Sequence, residues 1–258
     1  MEEQKLRVTR CQDAVWITID REHRRNAIDD ATVLAISAAL AQAEAEDARA
    51  VVLTGAGTRA FCAGADLAPG SGSFQYDFSR PGVPLVRLLA QARACPLPLI
   101  ARVNGHVMAG GMGLLAMCDL AIAADHARFG LPEVRVGLFP MQVMAVLHRL
   151  VPARVLAEMA LTGEPIDAAE AWRVGLVNHV VPGAELDAKV EWLLGRLRDK
   201  SPTGIRRGKV AMRQIEAMTL EQSLAFMEAQ IGLLSMTEDA TEGRAAFVEK
   251  RAPRFSGR

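Results

Sequence analysis

Aromatic residues are scarce in this chain: eight Phe, three Trp and one Tyr among 258 residues, although half of the sequence is hydrophobic. A core made from it has to be mainly Ala, Leu, Val, Ile and Met. Cysteine is scarce too. The four cysteines, at 11, 62, 95 and 118, form no CxxC pair, and the five histidines show no metal-ligand spacing. Free core or loop thiols are therefore expected and no metal site is. No apolar run of about 18 residues occurs, because Asp119 and Asp125 interrupt the most apolar stretch, so no membrane partner is expected. Net charge is also missing. Thirty basic residues balance thirty acidic ones, with no basic block, which argues against nucleic acid as a main partner. The opening MEEQKLRVTR lacks the apolar run of a signal peptide, and a soluble cytoplasmic protein is the expectation. Finally, there is no GxSxG elbow, no HExxH and no Walker lysine. The catalytic vocabulary that remains is carboxylates and backbone N–H groups.

What is present reads as α/β. AVWITID (14–20) alternates and is rich in β-branched residues, as strands are. RAVVLTG (49–55), PLPLIARVNG (96–105) and DLAIAAD (119–125) are short apolar runs of the kind found in buried strands. Helical spacing separates them, and Asp29 or Asp30 offers a cap for the helix that follows. The segment 67–84 is rich in Gly, Ser and Pro and reads as a surface loop, with a lid over a ligand as the alternative. After about residue 143 the pattern becomes helical, and Thr219 with Gln222 forms a capping-box pattern. The expected organisation is an α/β core over 1–195 and a helical region over 196–258.

Two glycine-rich segments each follow a strand. LTGAGTRAFCAGADL (53–67) is an imperfect phosphate-loop match, with Ala60 in place of the third glycine and no clear helix after it, which leaves a nucleotide-binding oxidoreductase as a distant alternative. RVNGHVMAGGMGLLAMCDLAIAAD (102–125) opens a helix with Gly110, Gly111 and Gly113, although glycine inside a helix costs ~1 kcal/mol relative to alanine. Close packing of a buried helix is one use for them. Bringing an unpaired helix-start N–H up to a negative oxygen is another. Two N–H groups from separate loops, at Ala65 and Gly110, could converge on one oxygen, the geometry of an oxyanion hole.

In RRNAID (24–29), VVLTGAGTRAFCAGADL (51–67), RVNGHVMAGGMGLLAMCDLAIAADHARFGLPEVRVGL (102–138), LTGEPIDAAEAWRVGLVNHVVP (161–182) and EGRAAFVEKRAPRF (242–255) the chain resembles the enoyl-CoA hydratase/isomerase family, the crotonase superfamily. These segments lie in order along nearly the whole chain. The resemblance implies a spiral of ββα units with a helical C-terminal region used for assembly into a trimer or a dimer of trimers. It implies an acyl-CoA substrate, with coenzyme A entering as part of the thioester and no permanently bound cofactor. It implies that Ala65 and Gly110 hold the thioester oxygen, that Arg25, Ala27, Ala63 and Asp66 lie near the coenzyme A moiety, and that Glu133 is the acid/base. Met108, Met112, Met141 and Met144 are candidates for an adaptable acyl pocket, against an alternative of ordinary core packing.

One position departs from the family pattern. The resemblance implies two glutamates for hydration, and where the second would stand this chain has Gly113. A single glutamate could still carry out a 1,3-proton shift. The expectation is therefore enoyl-CoA isomerisation through a thioester enolate, with Glu133 as single acid/base. The alternatives are a hydratase with an atypical site and a non-catalytic CoA-binding protein. The further acid that dienoyl-CoA isomerisation requires would fall at Met141.

Overall fold

The computed structural model describes residues 5–68, 79 and 82–258. The expectation for the loop over 67–84 falls for the most part outside the described residues. The chain begins with a hairpin of β1 (Leu6–Cys11) and β2 (Ala14–Ile19), then α1 (Asp30–Ala45). Three strand pairs follow, each with a helix behind it: β3 (Ala50–Gly55) and β4 (Ala60–Cys62) with α2 (Pro84–Ala94), β5 (Leu99–Val103) and β6 (His106–Met108) with α3 (Gly110–Ala116), β7 (Leu120–Ala124) and β8 (Arg128–Gly130) with α4 (Met141–Leu147). Next come α5 (Ala153–Thr162), β9 (Ile166–Asp167), α6 (Ala168–Arg173), β10 (His179–Val181), α7 (Leu186–Arg198), α8 (Pro202–Ile215), α9 (Leu220–Ser235) and α10 (Glu238–Glu249).

Each pair divides its strands between two sheets. The first strands join a large sheet of order β1-β2-β3-β5-β7-β10 and the second strands a small sheet of order β4-β6-β8-β9. Among the described residues only the β1/β2 and β8/β9 pairings are antiparallel. This is the ββα spiral that the resemblance implies.

The period of two along the strands sorts the core into two parts. Val15, Ile17, Val51, Leu53, Leu99 and Ala101 face α1, α2 and α3 together with the small sheet's Phe61, Val107 and Phe129. Ala14, Ala50, Val52, Ile100 and Ile122 face the opposite way, beneath Leu186, Val190 and Leu194 of α7. The expected boundary near residue 195 can be placed on these elements. It falls inside α7, a continuous helix whose inner side is buried on the large sheet, and the helices that follow start only at Pro202.

The caps match their residues. The Asp29 side chain accepts from Thr32 N at 2.8 Å and starts α1, and Thr219 with Gln222 forms a complete capping box on α9. Cys62, Cys95 and Cys118 are buried free thiols and Cys11 is an exposed one. Among the described residues no helix is long and apolar enough to cross a membrane.

Candidate active site

The loop after β4 is held by a short parallel bridge between Ile28 and Ala65. Ile28 N–H donates to Gly64 O and Asp66 N–H donates to Ile28 O, both at 2.8 Å. Because backbone groups alternate direction along an extended segment, this pairing turns the Ala65 N–H the other way, and no described backbone acceptor takes it. Gly64, at φ +100°, makes the bend; a Cβ on it would stand 2.7 Å from the Ala109 Cβ. Beneath the loop, burial pushes the Cys62 thiol up to about 12, so it remains neutral.

The second loop runs from β6 into α3. Ala109 holds φ +49° and ψ −122°, a region alanine seldom occupies, and its N–H donates to Gly130 O at 3.0 Å. The bend presents Gly110 N–H at the helix start, again with no described acceptor. The glycines of this stretch divide the two uses considered above. A Cβ at Gly111 would stand 2.5 Å from Cys62 O, and one at Gly113 would stand 2.8 Å from Val143 Cγ1, so both serve close packing. At Gly110 a Cβ would make ordinary contacts only, the nearest at 3.6 Å to Ile28 Cδ1, and would lie 3.7 Å from Ala65 N. Close backbone approach therefore rests on Gly64 and Gly111 rather than on Gly110.

Glu133 sits in the first turn of a short 3-10 helix, Pro132–Val136, after β8. Its Oε2 is buried without a hydrogen-bond partner. Burial raises the Glu133 pKa above the ordinary glutamate value, partly offset by its own backbone N–H. Ala65, Gly110 and Glu133 all line one cavity of about 600 Å³, and the other described residues of its wall are Leu85, Ala109 and the segment 137–143. The arrangement brings two free N–H groups and one proton-avid carboxylate to the same space.

The expected CoA-side residues come together as well. Ala63 N–H donates to Arg25 O at 3.1 Å, so RRNA and CAGAD are laced together. Asp66 is buried and accepts from Arg21 Nη2 at 2.8 Å, and Ala27 O accepts from Arg21 Nη1. Arg21 thus joins both segments, although the sequence reading did not single it out. No periodicity points to it, because its partners lie 6 and 45 residues away. Asn26, fully buried at φ +55°, was also missed; its Nδ2 donates to Ala56 O and Ala60 O, and its Oδ1 accepts from Arg21 N. Asparagine's enrichment in the left-handed region is the one local signal that could have found it.

The methionines separate. Met141 lines the cavity and is 73% exposed. Met112 is fully buried in the core, because helical spacing turns it inward against the sheets. Met108 is packed near Gly130, and Met144 packs against the core from α4. Of the four methionines expected at an acyl pocket, Met141 alone lines this cavity, beside Leu138, Phe139 and Val143. His106, held below its ordinary pKa by burial and then by the charges of His126, Arg128 and Arg25, lies outside the cavity lining.

Comparisons agree with this frame. The sequence model of the Enoyl-CoA hydratase/isomerase family matches residues 10–258. A 2,3-dehydroadipyl-CoA hydratase of Escherichia coli K12 is 34% identical over 98% of this chain and 99% of its own, and a crotonyl-CoA hydratase of Syntrophomonas wolfei is 34% identical over 92% of each. Crystal structures of enoyl-CoA hydratases from Mycobacterium smegmatis and Bacillus anthracis superpose with TM-scores of 0.92 and 0.91. The first is 32% identical over 98% of this chain and 99% of its own, the second 31% over 99% and 100%. With the ββα spiral, the paired loops and this similarity over the whole chain, the protein belongs to the enoyl-CoA hydratase/isomerase family, the crotonase superfamily, as an enzyme that processes acyl-CoA thioesters.

Proposed function

We propose that this enzyme moves a double bond in an enoyl-CoA thioester, with Glu133 as its single acid/base. Glu133 takes a proton from C2 of a 3-enoyl thioester. The electrons shift into the thioester, and the Ala65 and Gly110 N–H groups hold the oxygen as its charge grows. The protonated Glu133 then returns the proton at C4, leaving the double bond between C2 and C3. Donors fixed in a dry site favour the enolate over the ground-state carbonyl, and losing one costs on the order of 100-fold or more in rate. The single observation that carries the reading is the pairing of Gly113 with Val143. Where the family's second glutamate would stand, the space is taken by a valine methyl.

Hydration is the second reading, and the names of the relatives favour it. Glu133 would then activate the water and afterwards supply the proton to C2. Incubation in heavy water with matched 2-enoyl- and 3-enoyl-CoA thioesters separates the two. Conversion of the 3-enoyl thioester without gain of water supports isomerisation; rapid water addition to the 2-enoyl thioester at a higher kcat/KM sinks it.

We also infer a homo-oligomer, a trimer or a dimer of trimers, assembled through the helices after residue 201. What supports this is a helix, α9, with no buried residue, and exposed apolar side chains at Leu220, Leu224, Ile231, Phe247 and Val248. Monomers in sedimentation at micromolar concentration would count against it. Coenzyme A enters in this reading only as part of the substrate, and the cytoplasm remains the proposed location.

A further inference from the structure

We propose that Glu216, at the C-terminal end of α8, is a positioning residue for the active-site cavity: it sets how closely the wall built from α2 and α4 closes over Gly113. The inference rests on the reading of the cavity as the acyl-CoA site and adds what holds its wall. The helices α2, α3 and α4 share one arrangement. Each brings residues of its N-terminal turn to the cavity, Leu85 from α2, Gly110 from α3 and Met141 with Val143 from α4. Their C-terminal ends gather round a second cavity, of about 120 Å³, lined among others by Arg93, Met117 and Arg149.

Glu216 Oε2 accepts from Arg93 Nη1 at 2.8 Å and from Arg149 Nη1, and its Oε1 accepts from Arg213 Nη1 at 3.3 Å. One carboxylate thus ties the end of α2 and the turn after α4 to α8. Burial alone would raise its pKa, but the guanidinium groups of Arg93, Arg149 and Arg213 hold it below the ordinary glutamate value, so it is charged at neutral pH. Without that charge, three cations drawn to helix C-termini would face one another and repel. Helices are stiff rods, about 16 Å long for α2 and about 10 Å for α4, so a separation at one end is carried to the other. The wall also has room to move. Leu89 Cδ2 lies 3.7 Å from the point where a Cβ on Gly113 would stand, and Leu89 lines the second cavity too, so it has space to retreat into.

The test compares coenzyme A with hexanoyl-CoA, a saturated thioester that offers no double bond to move. Calorimetry at neutral pH gives the ratio of their affinities, which reports the acyl-side wall and not the coenzyme A contacts or overall stability. Glu216→Gln is expected to lower the ratio about threefold to tenfold, with the affinity for coenzyme A itself unchanged. Arg149→Gln, at a side chain 45% exposed, releases α4 alone and is expected to lower it about two- to threefold. The double variant, with one cation fewer to repel, should lose less than the two single losses combined. An unchanged ratio in either single variant, or losses that simply multiply in the double, overturns the positioning role and leaves the acyl-CoA site standing. A parent that binds hexanoyl-CoA no more tightly than coenzyme A overturns the site and the proposal together.

Discussion

The Cγ1 methyl of Val143 lies 2.8 Å from the point where a Cβ on Gly113 would stand, with Leu89 Cδ2 behind it at 3.7 Å. Residues from two neighbouring helices, α3 and α4, therefore share one side chain's worth of space. Glycine at one position and valine at the other are a coupled choice. A glutamate on α3 cannot be restored without taking volume from α4.

Gly113→Glu alone is expected to destabilise the fold by about 1–3 kcal/mol through overpacking, and to gain no hydration of 2-enoyl-CoA. Adding Val143→Gly should recover part of the loss, giving a coupling energy of about 1 kcal/mol or more. Urea denaturation of the four proteins of the cycle measures it. Strict additivity of the two changes would sever the link between these positions.

Glu133→Gln is expected to lower turnover by roughly 100- to 10,000-fold with little change in affinity for saturated acyl-CoA, since the amide keeps the shape but cannot accept the proton. The acid limb of the wild-type rate profile should lie above the ordinary glutamate value, because burial raises the Glu133 pKa and only the carboxylate can act as base. The sign for stability is the opposite. A carboxyl whose folded pKa exceeds its unfolded one binds more protons when folded, so it costs stability as pH rises past the unfolded pKa. Glu133→Gln should therefore melt at the same temperature or higher at neutral pH. A lower Tm would show that the carboxylate is a structural anchor.

Gly64→Ala meets two obstacles, a φ of +100° and a Cβ 2.7 Å from the Ala109 Cβ. It should cost about 1–3 kcal/mol and reduce kcat by pushing Ala65 and Gly110 apart. Ala109→Gly removes the opposing methyl and relaxes the φ of +49°, so it should stabilise the parent slightly and partly rescue the double variant. Thermal melts and kcat of the three variants test this; a double variant no better than Gly64→Ala would refute the steric account.

Asp239 anchors the end of the chain. Burial alone would raise its pKa, but Ser201 Oγ–H at 2.6 Å and the N–H groups of Gly257 at 3.0 Å and Ser256 at 2.8 Å donate to it and hold it below the ordinary aspartate value. Its contribution is present above the unfolded pKa and lost as pH falls through the lowered folded one. Asp239→Asn should cost about 1–3 kcal/mol at neutral pH and less in strong acid. Hydrogen exchange at residues 255–258 is the direct measure, and unchanged protection there would remove Asp239 from this role.

Much of this structure could be read from residue patterns, for reasons that differ by element. The continuous apolar run in β3 and the Thr219–Gln222 pair are local signals, and both elements formed as expected. Glu133 was singled out through its surrounding motif, and it lines the cavity with Ala65 and Gly110. Met112 was not separable from Met141, since both are apolar residues near the same loops and only packing shows which one faces the core. That α7, which spans residue 195, buries Val190 and Leu194 against strands far away in sequence was not legible either, because helical spacing does not name the partner surface. Arg21 stayed hidden for a related reason, as what defines it is the set of carbonyl and carboxylate oxygens that long-range folding gathers around it.

Arg21 also has a mechanical consequence. By grasping Ala27 O and Asp66 at once, it makes the segment proposed for the nucleotide end of the substrate and the segment proposed for the reacting end into one stiff part. Displacements of either are inherited by the other. In directed evolution, selection acting on one end would then carry the other along, so gains in affinity and changes in rate would arrive as correlated traits.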